Sequence, residues 1–335
     1  MTRSFCALMT VLLISFTARG GAPGPGGPYA VTNTFKIGGE GGFDYATLDD
    51  AGKTLYLPRT THTQVIDTAT GKVIGDIPGN SGSHGVALVP AAGRGFISNG
   101  KDGTVQLFDL KTNQSLGKIK AAEDADAIIY DPASNRVLVM CGDAGEMVAI
   151  RPDVDPASGK ADAVVKLGGK PEFAVADGKG KVFINLEDKD EVAVVDTLTM
   201  KLVTTWKTAP GGKPVGMSMD RANNRLYVGC RSPRMVVMDA GDGHVLADLP
   251  IGAGVDATAF VNGTALASCG DGTLSVIRET TPGKFEVVQT VKTLERAKTM
   301  AVDATGKTIY LPTADGPRNK TVPGSFKVLV VTAKP

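Results

Sequence analysis

The chain is poor in the residues that usually announce an enzyme. Among 335 residues there are three histidines, four cysteines and one tryptophan. No C-x-x-C or C-x-x-C-H occurs, which excludes a thiol-redox motif and a covalently attached c-type haem. His62, His84 and His244 are too few and too separate in sequence to suggest a zinc triad. No block of lysine or arginine stands out, which argues against a nucleic acid or an anionic membrane held by bulk charge. Long Ala/Leu/Glu/Lys tracts are also missing, so long helices are not expected.

One apolar run, Phe5 to Phe16, is too short to span a bilayer. With Arg3 before it and Ala18 and Gly20 after it, the run has the layout of a secretory signal. Residues 1–20 are therefore expected to be removed, residues 21–29 to form a flexible leader, and residues 30–335 to make up the fold of an exported protein, periplasmic or extracellular. Losing Arg3 and Arg19 leaves 34 basic against 35 acidic residues. Cys141, Cys230 and Cys269 remain, an odd number that cannot be fully paired within the chain. Stability must come from packing.

What the chain does have is glycine and proline throughout, 42 and 19 of them, between valine-rich runs. These punctuate a repeat. ATLDDAGKTLYLPR begins at Ala46, and equivalent phrases begin at Ala87, Ile128, Ala174, Met217, Thr258 and Met300. Each is a short strand, a turn rich in Asp, Gly, Asn or Pro, and a second strand. A further strand, Asp-initiated turn and strand follow in phrases such as TQVIDTATGKVIGDI. The starts lie 41, 41, 46, 43, 41 and 42 residues apart, the length of one four-stranded propeller blade. The expectation is an all-β, seven-bladed β-propeller. Its last unit holds only three strands, and Ala30 to Ile37 would supply the fourth and close the ring.

Phrases such as LYLPRTTHTQVIDTATGKVIGDI and GFISNGKDGTVQLFDL resemble the YVTN β-propeller repeat of YncE-like proteins. The resemblance covers the whole chain beyond the leader. It implies the fold and little about chemistry, since propellers host binding proteins and several kinds of enzyme. Trp206 is not part of a WD dipeptide, which makes a WD40 relationship more distant.

In such a blade the innermost strand begins, and the second strand ends, on one face around the central channel. The first register holds Asp44, Gly85, Asp126, Glu172, Val215, Asp256 and Lys298, flanked by Tyr45 and His84. The second holds Arg59, Asn99, Cys141, Leu186, Cys230, Cys269 and Thr313, with His62, Asn185, Glu187, Asp188 and Arg231 beside it. A ligand site is expected at this mouth, built from Asp44, Tyr45, Arg59, His84, Asp126, Glu172, Glu187, Asp256 and Lys298. Carboxylates roughly 6 Å apart repel by about 3 kcal/mol at an effective dielectric near 20. A proton, a cation or a neighbouring base relieves that repulsion.

Asp126, Glu172 and Asp256 are accordingly the candidate ligands of Ca²⁺ or another divalent cation. Glu172, Asp126 and His84 are the candidate catalytic groups. The competing account is a solvated ring of charges that neutralise one another without chemistry.

Three functional classes follow. The first is a binding or scaffold propeller, monomeric, holding a small molecule or protein at the channel mouth. The second is a cation-assisted hydrolase resembling propeller lactonases, and the third a redox or haem-handling propeller with His62 or His84 as axial ligand. The aspartates before the turns, Asp67, Asp109, Asp196 and Asp239 among them, are expected to hold Asx turns instead.

Overall fold

The computed structural model describes residues 27–157, 159–317 and 320–334. The expected signal segment and most of the leader lie outside the described residues. Among the described residues antiparallel strands make up nearly every element, with short 3-10 turns at Pro90–Ala92 and Glu187–Lys189. Among the described residues no helix is long and apolar enough to cross a membrane.

The third repeat shows the common plan. Ala125–Asp131, Arg136–Cys141, Glu146–Ile150 and Ala163–Lys166 pair side by side in chain order. The fourth, fifth and sixth repeats do the same. The turns between these strands are held as the sequence suggests. Asp67 accepts hydrogen bonds from the Thr70 backbone and hydroxyl, Asp109 from the amides of Lys111 and Thr112, and Asp220 from those of Ala222 and Asn223. A carboxylate of this reach substitutes for a backbone acceptor and lets the chain reverse within a few residues.

The last sheet contains Ala301–Val302, Thr308–Thr313 and Lys327–Ala333, and its outer strand is Tyr29–Lys36. Tyr29 pairs with Ala333 and Lys36 with Lys327. The N-terminal strand therefore closes the last unit, as expected. Tyr29 and Phe35 are buried in the process, and the Tyr29 hydroxyl donates to Gly306 O at 2.9 Å.

The first two repeats depart from the plan. One strand, Val73–Val89, pairs through Val73–Pro78 with the first repeat and through Ser83–Val89 with the second. It is the outer strand of one and the inner strand of the other. Among the described residues the strands thus form six sheets, five of four strands and one of seven, where separate units were expected throughout. Gly79 and Gly82, at φ of 85° and 65°, bend the chain there without ending the strand.

A hydrophobic cluster lies between each repeat and the next. Leu138 and Met140 of the third meet Ala174 and Ile184 of the fourth, and Phe35 and Tyr310 of the last repeat meet Leu55 and Ile66 of the first. Sheets covered on both faces explain why middle strands such as Val137–Cys141 are buried at every residue. The ring is closed by packing as well as by the shared last sheet.

Candidate functional site

A β-bulge interrupts the innermost strands where the candidate acids sit. Pairing slips between Ala125 and Ile128, between Pro171 and Ala174, and between Val255 and Ala257, which frees Asp126, Glu172 and Asp256 from the ladder. Slips at Ser83/Val86 and Pro214/Gly216 do the same for His84 and Val215. A bulge re-aims a side chain at the cost of one ladder pairing. Hydrogen bonds between neighbouring repeats then fix the inner strands against each other. The Tyr45 amide donates to His84 O at 3.1 Å, the Thr299 hydroxyl to Asp44 O at 3.0 Å, and the Ala257 amide to Lys298 O at 3.0 Å. The Ser98 hydroxyl donates to Asp126 O.

These elements bring Asp44, His84, Asp126, Glu172, Glu187, Asp256 and Lys298 into one connected group. His84 Nδ1 lies 2.8 Å from Asp44 Oδ2 and 3.3 Å from Asp126 Oδ1. Lys298 Nζ bonds Asp256 Oδ2 and stands 3.9 Å from Asp44 Oδ1. Glu172 shares a hydrogen bond with Glu187, which accepts from Arg231 Nε at 2.8 Å. Arg231 Nη2 reaches Asp256 Oδ1 at 3.6 Å.

Burial dominates the protonation of this group. It raises Glu172 to about 8, reinforced by Asp126 and by Glu187. It raises Asp126 to about 7 against the pull of His84, with Asp44, Asp124 and Asp256 adding to it. Asp256 is raised by burial too, with Lys298 pulling the other way. Burial disfavours the charged form of His84, but the hydrogen bond with Asp44 and the charges of Asp126, Asp44 and Asp124 outweigh it and bring the imidazole to about 9. A cation at His84 therefore stands beside carboxyls that keep protons near neutrality.

Beside the acids is a pocket of about 220 Å³ lined by Phe43, Asp44, Arg231, Gly254, Gly270, Arg296 and Lys298. Arg296 is held by Gly316 O at 2.6 Å and by the Thr321 hydroxyl at 3.1 Å, and its guanidinium lies 5.3 Å from the centre of the Phe43 ring. The buried second-strand ends, Asn99, Cys141, Leu186, Cys230 and Cys269, do not line this pocket. One step later come Gly100, Gly142, Glu187, Arg231 and Gly270, of which Arg231 and Gly270 line the pocket. Three of these are glycines that leave room. A Cβ on Gly100 would stand 2.8 Å from His84 Nε2, and one on Gly142 would stand 2.5 Å from Asp124 Oδ2. The sequence placed Arg231 next to the register; its two carboxylate partners were not legible there.

Tyr45 is not in the pocket wall. It is buried, packs on the Phe173 ring at 5.2 Å and joins the cluster of the third and fourth repeats, although it enters from the first. Burial and the nearby charges of Asp126, Asp256, Asp44 and Glu172 push its hydroxyl well above the ordinary range. His62 contacts Thr61 and Asp76, the latter at 3.9 Å, rather than the acid group. Cys141, Cys230 and Cys269 are free and buried, and burial pushes each thiol up to about 12. They are packing residues.

Arg59 is sent elsewhere. Its fully buried guanidinium donates to Gly42 O at 2.8 Å, Glu40 O at 3.0 Å and Gly38 O at 3.2 Å, and lies 3.6 Å from the centre of the Phe326 ring. It staples the loop that leads into Asp44. Gly41, at φ 93°, is required there, since a Cβ would come within 2.3 Å of Arg59 O. Arg59→Ala should cost about 2–5 kcal/mol in chemical denaturation, as a large buried side chain lost together with its hydrogen bonds. A loss under about 1 kcal/mol would show that the loop holds without it.

No family model matches the chain, and neither does any curated protein sequence. Among solved structures it is similar to Kuenenia stuttgartiensis hydrazine synthase, a β-propeller-containing protein. That match covers 73% of this chain and 97% of the other, at 15% identity and a TM-score of 0.51. The likeness is one of fold. It agrees with the sheets described above: the chain is a β-propeller.

Proposed function

We infer that this is an exported, seven-bladed binding propeller that holds a small anionic molecule at the channel mouth. The observation that carries the reading is the convergence of Arg231, Arg296 and Lys298 from two different repeats on one pocket with Phe43 in its wall. At about 220 Å³ the pocket is smaller than the roughly 300–1,000 Å³ that drug-sized ligands occupy. A small carboxylate or phosphate suits it, with an apolar part against Phe43. The repeat phrases resembling YVTN proteins and the signal-like N-terminal segment support the blade count and export.

The test is a panel of small carboxylates and phosphates, screened by thermal shift and titrated calorimetrically. Arg231→Ala should weaken the best binder about 10- to 100-fold, the worth of one charged hydrogen bond. If no panel member binds, or Arg231→Ala binds as tightly as the unsubstituted protein, the pocket is not an anion site.

One observation favours a hydrolytic reading. Glu172 keeps its proton near neutrality in the same group as the close His84–Asp44 pair, so a carboxyl able to donate a proton stands among the other titratable side chains. Turnover of a lactone panel, lost in Glu172→Gln with binding retained, would place the chain among hydrolases.

A further inference from the structure

We propose that Asp44, His84 and Asp126 form a divalent metal site of one imidazole nitrogen and two carboxylate oxygens, standing at the wall of the anion pocket. This deepens the binding reading, because Asp44 also lines that pocket.

The geometry carries it. One ligand atom from each of the three residues can be chosen so that all lie within 4.8 Å of one another. His84 Nδ1 is 2.8 Å from Asp44 Oδ2 and 3.3 Å from Asp126 Oδ1. Donors about 2.0–2.2 Å from one ion stand about 2.8–3.6 Å apart at octahedral or tetrahedral angles. Both edges that meet at Nδ1 fall in that range.

A second observation is independent of these distances. Asp126 Oδ1 is buried and accepts no hydrogen bond, although it faces the imidazole. Nδ1 carries one proton at most, and Asp44 stands closer to it. The hydrogen-bond network therefore satisfies one carboxylate and orphans the other. An ion in place of that proton would satisfy Nδ1, Asp44 and Asp126 together. The ring occupies space that only a glycine at position 100 leaves open, since a Cβ there would stand 2.8 Å from Nε2. Lys298, whose Nζ stands 3.9 Å from Asp44 Oδ1, is engaged by Asp256.

The donor set points to a borderline ion. Ca²⁺ prefers six to eight oxygens, whereas imidazole with carboxylate suits Zn²⁺ or Mn²⁺. The residues differ from the Asp126, Glu172 and Asp256 set read from the sequence. Glu172 bonds Glu187, and Asp256 bonds Lys298.

The test uses the full chain after chelator treatment, titrated calorimetrically with Zn²⁺, Mn²⁺ and Ca²⁺ in separate runs. One equivalent of Zn²⁺ or Mn²⁺ is expected to bind at least tenfold more tightly than Ca²⁺. His84→Ala and Asp126→Asn should each weaken it at least 30-fold, with His244→Ala unchanged. Electron spin echo modulation of Mn²⁺ bound to the unsubstituted protein should show a coupled imidazole nitrogen, which keeps the test decisive if a variant does not fold. Absence of Zn²⁺ and Mn²⁺ binding, a preference for Ca²⁺, unchanged affinity in both variants, or no nitrogen coupling overturns the site. Anion binding measured in chelator fails independently: its loss in Arg231→Ala with metal binding intact tests the pocket, not the ion.

Discussion

Truncation through residue 38 is expected to abolish the cooperative unfolding transition, whereas truncation through residue 26 should leave the melting temperature within about 2 °C. The strand Tyr29–Lys36 is the outer member of a sheet whose other strands come from the far end of the chain. Its removal exposes the edge of Lys327–Ala333 and uncovers the space filled by Tyr29 and Phe35. Two aromatic side chains are worth about 3–6 kcal/mol on burial, and each lost ladder hydrogen bond adds about 1 kcal/mol. That approaches the whole stability of an ordinary domain, about 5–15 kcal/mol. The first described hydrogen bond beyond the cut is made by Pro28, whose carbonyl accepts from the Lys334 amide at 2.7 Å. Circular dichroism melts of the two truncations decide the matter: a cooperative transition in the longer truncation would mean that the strand is decoration.

Chelator-treated protein should be more stable at pH 5.5 than at pH 9, by a few kcal/mol. Asp126 at about 7, Glu172 at about 8 and His84 at about 9 all hold protons more tightly when folded than the roughly 3.9, 4.3 and 6.5 of an unfolded chain. As pH rises the unfolded chain releases these protons first, and stability falls wherever the folded state binds more of them. The carboxyl contribution is complete below about pH 4 and fades towards pH 7–8. The imidazole contribution is complete below about pH 6 and is lost towards pH 9. Turn aspartates such as Asp67, Asp109 and Asp196 are lowered by their hydrogen bonds and act in the opposite sense, in more acidic solution. Calorimetric melts across pH 5–9 measure the slope, and Glu172→Gln should flatten it. A melting temperature that rises with pH would mean these carboxyls ionise freely in the fold.

The repeat made the architecture legible because a blade is built from short-range signals. Turn aspartates, alternating strands and a fixed period all act within about 40 residues, and the strand ends fall where the phrases put them, at Asn99, Cys141, Leu186, Cys230 and Cys269. The first register also brought Asp44, Asp126, Glu172, Asp256 and Lys298 to one face. What the sequence did not disclose depends on three-dimensional competition. Arg59 shares its register with pocket-side positions, yet the Gly38–Gly42 loop offers several carbonyls to its fork, and that outweighs an acid cluster already supplied with Lys298 and Arg231. Bulges at Asp126, Glu172 and Asp256 have no sequence mark, and neither does the crossing of Tyr45 to Phe173. The fusion of the first two sheets was hidden because PGNSGS reads as a turn.

That fused strand has a topological consequence. Elsewhere in the wheel, outer and inner strands of consecutive repeats are joined by a segment outside the ladder, where new chain ends or an inserted domain would leave every pairing intact. Between the first two repeats the connection is the ladder itself, from Val73 to Val89. Those two repeats share one backbone splint and form the least divisible part of the circle. Permuted versions of the chain have to begin somewhere else.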